Sequence, residues 1–516
     1  MIKNNTKLHF FITLLFFGVL FSFLGGCATN AGNSSEKGVK RMSLSRKYWK
    51  YSGRNNPISS NIFCADPTGI EYNGRLYIYG TNDHQQYEAV GNNGKNTYEK
   101  INSLVCFSTE DMVNWTYEGL INTKKIAPWI VASWAPSICS RVEEDGLTHF
   151  YLYFSNSGCG VGVLTATSPT GPWTSPLKQS LIYPGLKTKY GTLTNSPAPF
   201  DPGVVIDDNG VGWLAFGGGG KAENGTEEYP GVARIVKLGK DMISVDSDFI
   251  ELKAPYFFEA SEMNYWNGIY VYTFNSSWVE RKKWAYDVPS STACSMNYMT
   301  TKTPLDSDSW KYEGNYFKNP GEQGFDYSNN HTHLMEYKGQ NYLLYHTLSL
   351  QENSPTKGGF RSMCVDKIDV NASDSGVKIG MCKATRDGVP AIANLNPYET
   401  VKGSTMVTSA EIWWESQEIG KDVPAMATND GSWILVKNVD FDANGSGAAK
   451  IVAEAKGSGG IEFRLDASAS KAVASVELSE SYEAKTSEIA EKLSGVHDVY
   501  ICFSDKGSCL KNWRAE

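Results

Sequence analysis

Apolar and polar residues alternate along most of this chain, and five times the alternation restarts after a short polar turn containing a glycine. Tyr72-Asn73-Gly74 runs into Leu76-Tyr77-Ile78-Tyr79, and Glu144-Asp145-Gly146 leads to Phe150-Tyr151-Leu152-Tyr153. Asp208-Asn209-Gly210 leads to Trp213-Leu214-Ala215-Phe216, Trp266-Asn267-Gly268 to Ile269-Tyr270-Val271-Tyr272, and Tyr337-Lys338-Gly339 to Tyr342-Leu343-Leu344-Tyr345. Asn-Gly and Asp-Gly between apolar runs signal β-hairpins, because type I′ turns need positive φ. The glycines recur roughly every 60–70 residues, too far apart for a solenoid and right for a four-stranded propeller blade with long loops. The pattern predicts a five-bladed β-propeller over residues 45–390, ended by Asp387-Gly388-Val389-Pro390. Residues 397–516 are lighter in aromatics and richer in Ala, Ser and Gly, with alternating runs such as Gly460-Ile461-Glu462-Phe463-Arg464-Leu465. That stretch has the length of one β-sandwich, so the predicted fold is all-β, a propeller followed by a sandwich.

The N-terminus reads as targeting rather than fold. Lys3 and Lys7 precede an apolar run from Phe10 to Leu24, followed by Leu24-Gly25-Gly26-Cys27, which resembles a bacterial lipoprotein box. Residues 1–27 are then a signal ending at the lipidated Cys27, and 28–44 a flexible tether. This places the mature chain at the bacterial cell envelope, held to a membrane by its lipid and facing the periplasm or cell surface. A net charge of −8 argues against nucleic acid and against anionic substrates. The other nine cysteines form no CxxC pair, which argues against zinc and thioredoxin-like chemistry. Cys106 and Cys364 lie in strand-like runs and read as buried, whereas pairing of Cys502 with Cys509 stays open.

Three of the 56 acidic residues sit in apolar or backbone-restricting contexts, where a shifted pKa arises. Asp66 lies in Phe63-Cys64-Ala65-Asp66-Pro67, Asp201 in Pro199-Phe200-Asp201-Pro202-Gly203, and Glu259 in Tyr256-Phe257-Phe258-Glu259-Ala260. Each precedes a hairpin, and all three are expected at one equivalent position, the start of a blade's innermost strand. The prolines after Asp66 and Asp201 push both aspartates toward extended backbone. Two carboxylates flanking a bond, one ionised and one protonated, are the apparatus of glycoside hydrolysis.

Ala-Asp-Pro before a hairpin, Asp111-Met112-Val113-Asn114-Trp115, Trp134-Ala135-Pro136, Phe-Asp-Pro-Gly and Phe-Glu-Ala-Ser together resemble glycoside hydrolase family 43 over about residues 45–386. The resemblance implies a five-bladed propeller that hydrolyses with inversion. Asp66 would be the general base, Glu259 the general acid, and Asp201 the residue that orients the acid and raises its pKa. Arg361 would hold sugar hydroxyls, with Trp134 beside the substrate. Asn330-His331-Thr332-His333 is similar to a segment whose histidine, here His331, lies near the propeller axis and a calcium or its water shell; the chemistry needs no cofactor. Glu262 matches no catalytic position and reads as surface, and Ser137 replaces a common aspartate and is expected to alter a subsite.

Asn396-Pro397-Tyr398, Val439-Asp440-Phe441 and Gly495-Val496-His497-Asp498-Val499-Tyr500 resemble a family 6 carbohydrate-binding module, a jelly-roll sandwich with a structural calcium. Lys402-Gly403-Ser404 and Asn512-Trp513 depart from its acidic pattern, so weak calcium binding is expected. Trp513 and Tyr482 read as sugar contacts or as core. The resulting expectation is an exo-acting α-L-arabinofuranosidase acting on arabinoxylan. A β-D-xylosidase is the alternative within the fold, and a non-catalytic glycan-binding lipoprotein the alternative from another class.

Overall fold

The computed structural model describes residues 42–196 and 198–516. The expected lipoprotein signal, Cys27 and most of the expected tether lie outside the described residues. Five antiparallel sheets follow one another along the chain, each opened by one of the five hairpins. Blade I comprises Ala65–Tyr72, Arg75–Thr81, Leu104–Thr109 and Trp115–Ile121. Blade II comprises Trp134–Val142, Thr148–Ser155 and Val161–Ala166. Blade III uses Gly203–Ile206, Gly212–Phe216, Arg234–Lys237 and Ile250–Glu251, and blade IV Phe257–Trp266, Ile269–Ser276, Met296–Thr301 and Lys311–Phe317. Blade V comprises Thr332–Tyr337, Gln340–Thr347 and Ser362–Lys367.

The turn chemistry explains the hairpins. Asn73-Gly74, Asn267-Gly268 and Lys338-Gly339 each join directly paired strand ends, with positive φ at both positions. Apolar side chains from facing blades then interdigitate; Tyr79, Cys106, Leu152 and Phe154 form one such layer between blades I and II. The ring closes where the segment before Asp66 runs along blade V. Ile58 N–H donates to Met363 O, Cys64 N–H to Arg361 O, and the Asn56 side chain bridges Val365.

The C-terminal region is a sandwich of two antiparallel sheets. One contains Ile412–Trp414, Ala425–Ala427, Cys509–Ala515, Ala448–Lys456 and Glu483–Leu493; the other Thr408–Ala410, Trp433–Asp440, Val496–Phe503, Gly460–Leu465 and Ala472–Glu477. Trp513 is 1% exposed and packs against Phe463, so it is core and presents no face to a glycan. The Tyr482 hydroxyl donates to Glu415. Cys502 and Cys509 are free thiols. The sandwich is built into the propeller, because Thr405–Met406 pairs with Trp115–Thr116 and becomes a fifth strand of blade I. One continuous apolar core therefore runs from Trp115 and Tyr117 of blade I to Trp414 and Phe463 of the sandwich.

Candidate active site

Near the start of four blades stands a residue in the left-handed region that is not glycine: Asp66 (φ 49°), Ala135 (30°), Asp201 (49°) and Ala260 (59°), so Asp66 and Asp201 are not extended as their prolines predict. Such conformations cost about 1–3 kcal/mol each and persist where the surroundings impose them. Here each is held by a side chain of the preceding blade. Asp66 N–H donates to His346 Nδ1 (3.2 Å), and Ala135 N–H to Thr81 Oγ1 (2.7 Å). Asp201 N–H donates to Ser155 Oγ (2.8 Å), and Ala260 N–H to Asp201 Oδ2 (2.9 Å). Asp66 and Asp201 thus occupy equivalent positions, but the equivalent of both in blade IV is Ala260. Glu259 stands one residue earlier, a correction to the expected three-fold equivalence.

The strand carrying Glu259 contains a bulge. Glu259 pairs with Asn275 and Glu262 with Thr273, so three steps on one strand match two on the other. Paired residues share a face, and Asn275 and Thr273 lie two apart, so Glu259 and Glu262 point to the same side. Glu262 is therefore not at the surface; it is 1% exposed. Plain alternation along the strand would place it opposite Glu259, and the bulge is what turns it inward. Its Oε2 accepts from Ser137 Oγ (3.2 Å) and its Oε1 lies 3.4 Å from His333 Nδ1. Ser137 also accepts from Val204 N–H, so it is a buried link between blades and not a subsite residue.

Asp66 is buried in a web that begins with Arg361. Arg361 Nη1 donates to Asp66 Oδ1 (2.8 Å), while Nε and Nη2 fork onto Asp83 at 2.9 and 2.8 Å. Thr81 Oγ1 donates to Asp66 Oδ2 (2.7 Å). The guanidinium lies 4.9 Å from the Tyr98 ring, and the Tyr98 carbonyl accepts from Trp134 Nε1–H (3.1 Å). His346 donates from Nε2 to Asn329 O and receives the Asp66 amide at Nδ1. It is a neutral imidazole, and burial pushes its pKa down to about 3. His331 stands 3.7 Å from Asp66.

These surroundings separate the three carboxyls. Burial alone would raise Asp66, but the Arg361 charge foremost, with the Thr81 hydrogen bond, holds it below its ordinary value. Asp201 is raised by burial and by the Asp66 charge. Glu259 is half-buried, and its carboxyl makes no hydrogen bond among the described residues. Burial first, then the charges of Asp201 and Asp66, push it upward. The arrangement holds one carboxylate ionised and keeps a second carboxyl protonated, the pairing that acid–base hydrolysis requires.

Asp83, His346, Thr81 and Ser155 were not singled out from the sequence. Only Asp83, directly following a strand and its cap Asn82, carried a local signal. His331 Nε2, His333 Nδ1 and Glu262 Oε1 are buried without hydrogen-bond partners among the described residues. Calcium prefers six to eight oxygen ligands. Two imidazole nitrogens and one carboxylate oxygen do not fit direct calcium coordination, and suit ordered water better.

Comparison with known proteins agrees with this geometry. Residues 54–375 match the model of glycosyl hydrolases family 43, and residues 400–514 that of carbohydrate binding module family 6. An arabinoxylan arabinofuranohydrolase of Bacillus subtilis (strain 168) is 34% identical over 482 residues, spanning 89% of this chain and 91% of the relative. One from Paenibacillus polymyxa is 32% identical, spanning 89% of this chain and 73% of the relative. The crystal structure of a glycoside hydrolase family 43 arabinoxylan arabinofuranohydrolase from Bacillus subtilis, in complex with cellotetraose, superposes with a TM-score of 0.81. It is 32% identical and covers 90% of this chain and 98% of that one. Three acids set by a strained propeller rim, family matches over both regions and a full-length structural likeness agree: the chain is a glycoside hydrolase of family 43 with a C-terminal family 6 carbohydrate-binding module.

Proposed function

We propose that this enzyme removes α-L-arabinofuranosyl side groups from arabinoxylan or its oligosaccharides, with inversion at the anomeric carbon. The observation that carries the reading is the unequal setting of the carboxyls. Arg361 Nη1 lies 2.8 Å from Asp66 Oδ1 and favours its ionised form. Glu259 stands one residue before Ala260, whose amide Asp201 holds at 2.9 Å, and burial and the neighbouring charges push it upward. Asp66 takes a proton from a water as the water oxygen attacks the anomeric carbon. Glu259 gives its proton to the glycosidic oxygen as that bond breaks, and the xylan hydroxyl leaves neutral. Asp201 grips the amide of Ala260, next to Glu259, and so both orients the acid and raises its pKa. Arg361 gives three N–H groups to Asp66 and Asp83 and a fourth to Asn329 Oδ1 (3.4 Å), leaving one Nη2–H for a sugar hydroxyl. Trp134 stands edge-on to Tyr98, the ring beneath the guanidinium. The substrate assignment is supported by the names of the two relatives above, which match nearly the whole chain.

Hydrolysis of wheat arabinoxylan and of the 4-nitrophenyl α-L-arabinofuranoside and β-D-xylopyranoside tests the assignment. Arabinose release with little xyloside turnover is expected; preferred xyloside turnover would reassign the sugar. The Leu24-Gly25-Gly26-Cys27 box supports a lipid anchor at the cell envelope. Metabolic labelling with a fatty acid, lost on Cys27→Ala, is the expected result there.

A further inference from the structure

A cavity of about 360 Å³ lies where the propeller meets the sandwich, and none of the three acids lines it. Two tryptophans line it, Trp49 from the segment before blade I and Trp413 from the sandwich, and both are half-buried. His84 of the helix Asp83–Val90 lies against both, with ring centroids 6.4 Å from Trp49 and 4.8 Å from Trp413. His84 is only 7% exposed, and its Nδ1 accepts the Phe63 amide at 3.3 Å. The proton therefore sits on Nε2, which has no acceptor among the described residues. Burial pushes this imidazole down to about 3, so it is a neutral donor throughout the working range. Glu88, one turn along the same helix, lines the cavity and makes no hydrogen bond or ion pair among the described residues.

Indole faces beside an unpaired donor and an unpaired carboxylate match the chemistry of a pyranose ring. Its C–H faces stack on aromatics, and its equatorial hydroxyls both donate and accept. The volume falls at the lower end of the range for small-ligand sites, about 300–1,000 Å³. We propose that the cavity between Trp49 and Trp413 is a second glycan site, which holds xylopyranose residues of the main chain while a side group is cleaved elsewhere on the molecule. The choice of xylan rests on the proposed function. The indoles take the ring faces, His84 Nε2–H donates to one hydroxyl, and Glu88 accepts from another. Two sites on one rigid body raise the effective concentration of a polymer without new contacts at the catalytic centre.

The test is calorimetric binding of unbranched xylohexaose to the full chain, as the parent, Trp413→Ala and Glu88→Ala, with thermal unfolding of each. Trp413→Ala is expected to bind about tenfold more weakly, the loss typical of truncating one anchoring tryptophan. Glu88→Ala, an exposed change that removes no packing, is expected to weaken binding several-fold even if Trp413→Ala unfolds. In both, kcat/KM on 4-nitrophenyl α-L-arabinofuranoside stays at the parent value while KM on arabinoxylan rises. Parental xylohexaose affinity in the folded variants would overturn the site. A parent inactive on the arabinoside that still binds xylohexaose through Trp413 and Glu88 would overturn the hydrolytic reading and leave this site standing.

Discussion

At the scale of residues, the chemistry rests on charges placed to push carboxyls apart. On the proposed roles, activity requires Asp66 ionised and is lost as pH falls through its depressed pKa. It requires Glu259 protonated, so it is lost as pH rises through the elevated pKa of Glu259. Asp201→Asn removes a negative charge beside Glu259 while keeping an acceptor for the Ala260 amide. The alkaline limb of the kcat/KM–pH profile should therefore move to lower pH, with the acid limb less affected; an unmoved alkaline limb would deny Asp201 its electrostatic role. The three acids stand out in the sequence because proline or aromatic neighbours set them apart from surface charge. Asp83 and His346 do not, because each acts on a partner, Arg361 or Asp66, that blade closure brings from the far end of the propeller.

At the scale of elements, the hairpins were readable and the bulges were not. A polar turn with positive φ leaves its mark in Asn-Gly, whereas the extra residue between Glu259 and Glu262 leaves none, and alternation through it misplaces Glu262. The Asp111-Met112-Val113-Asn114-Trp115 motif, readable as a family mark, has a mechanical meaning in the structure. Asp111 Oδ1 accepts the amides of Val113 and Asn114, and Asn114 exchanges two hydrogen bonds of 2.8 Å with the backbone of Lys437 in the sandwich. Asn114→Ala removes both, and unfolding in urea should show a loss of about 1–3 kcal/mol. A loss within error would mean that the clasp contributes nothing net.

At the scale of the whole molecule, the sandwich continues the propeller. Lys402 pairs with Asn512 across the sandwich strands and reaches Glu118 of blade I at 2.6 Å. Asn512 in turn donates to Glu454. Where the family carries acidic residues, this chain has a cation and an amide already committed to protein partners, and the cation repels a second one. Calcium titrated into the full chain should show no micromolar site at this position. A micromolar site abolished by Asn512→Ala would contradict that. The two-domain plan was visible as a change of composition near residue 397, but the fifth strand of blade I was not, since Thr405-Met406 is too short to carry a pattern.

The most direct test of the acid and base assignments compares two substrates that differ in their need for a proton. Arabinoxylan leaves as a poor alkoxide and needs the acid; 2,4-dinitrophenyl α-L-arabinofuranoside leaves as a stable phenolate and does not. Glu259→Gln should lose about 10²–10⁴ in kcat/KM on arabinoxylan and far less on the dinitrophenyl substrate, whereas Asp66→Asn should lose heavily on both. Equal losses on the two substrates in Glu259→Gln, or near-parental arabinoxylan turnover, would contradict Glu259 as the acid and with it the mechanism.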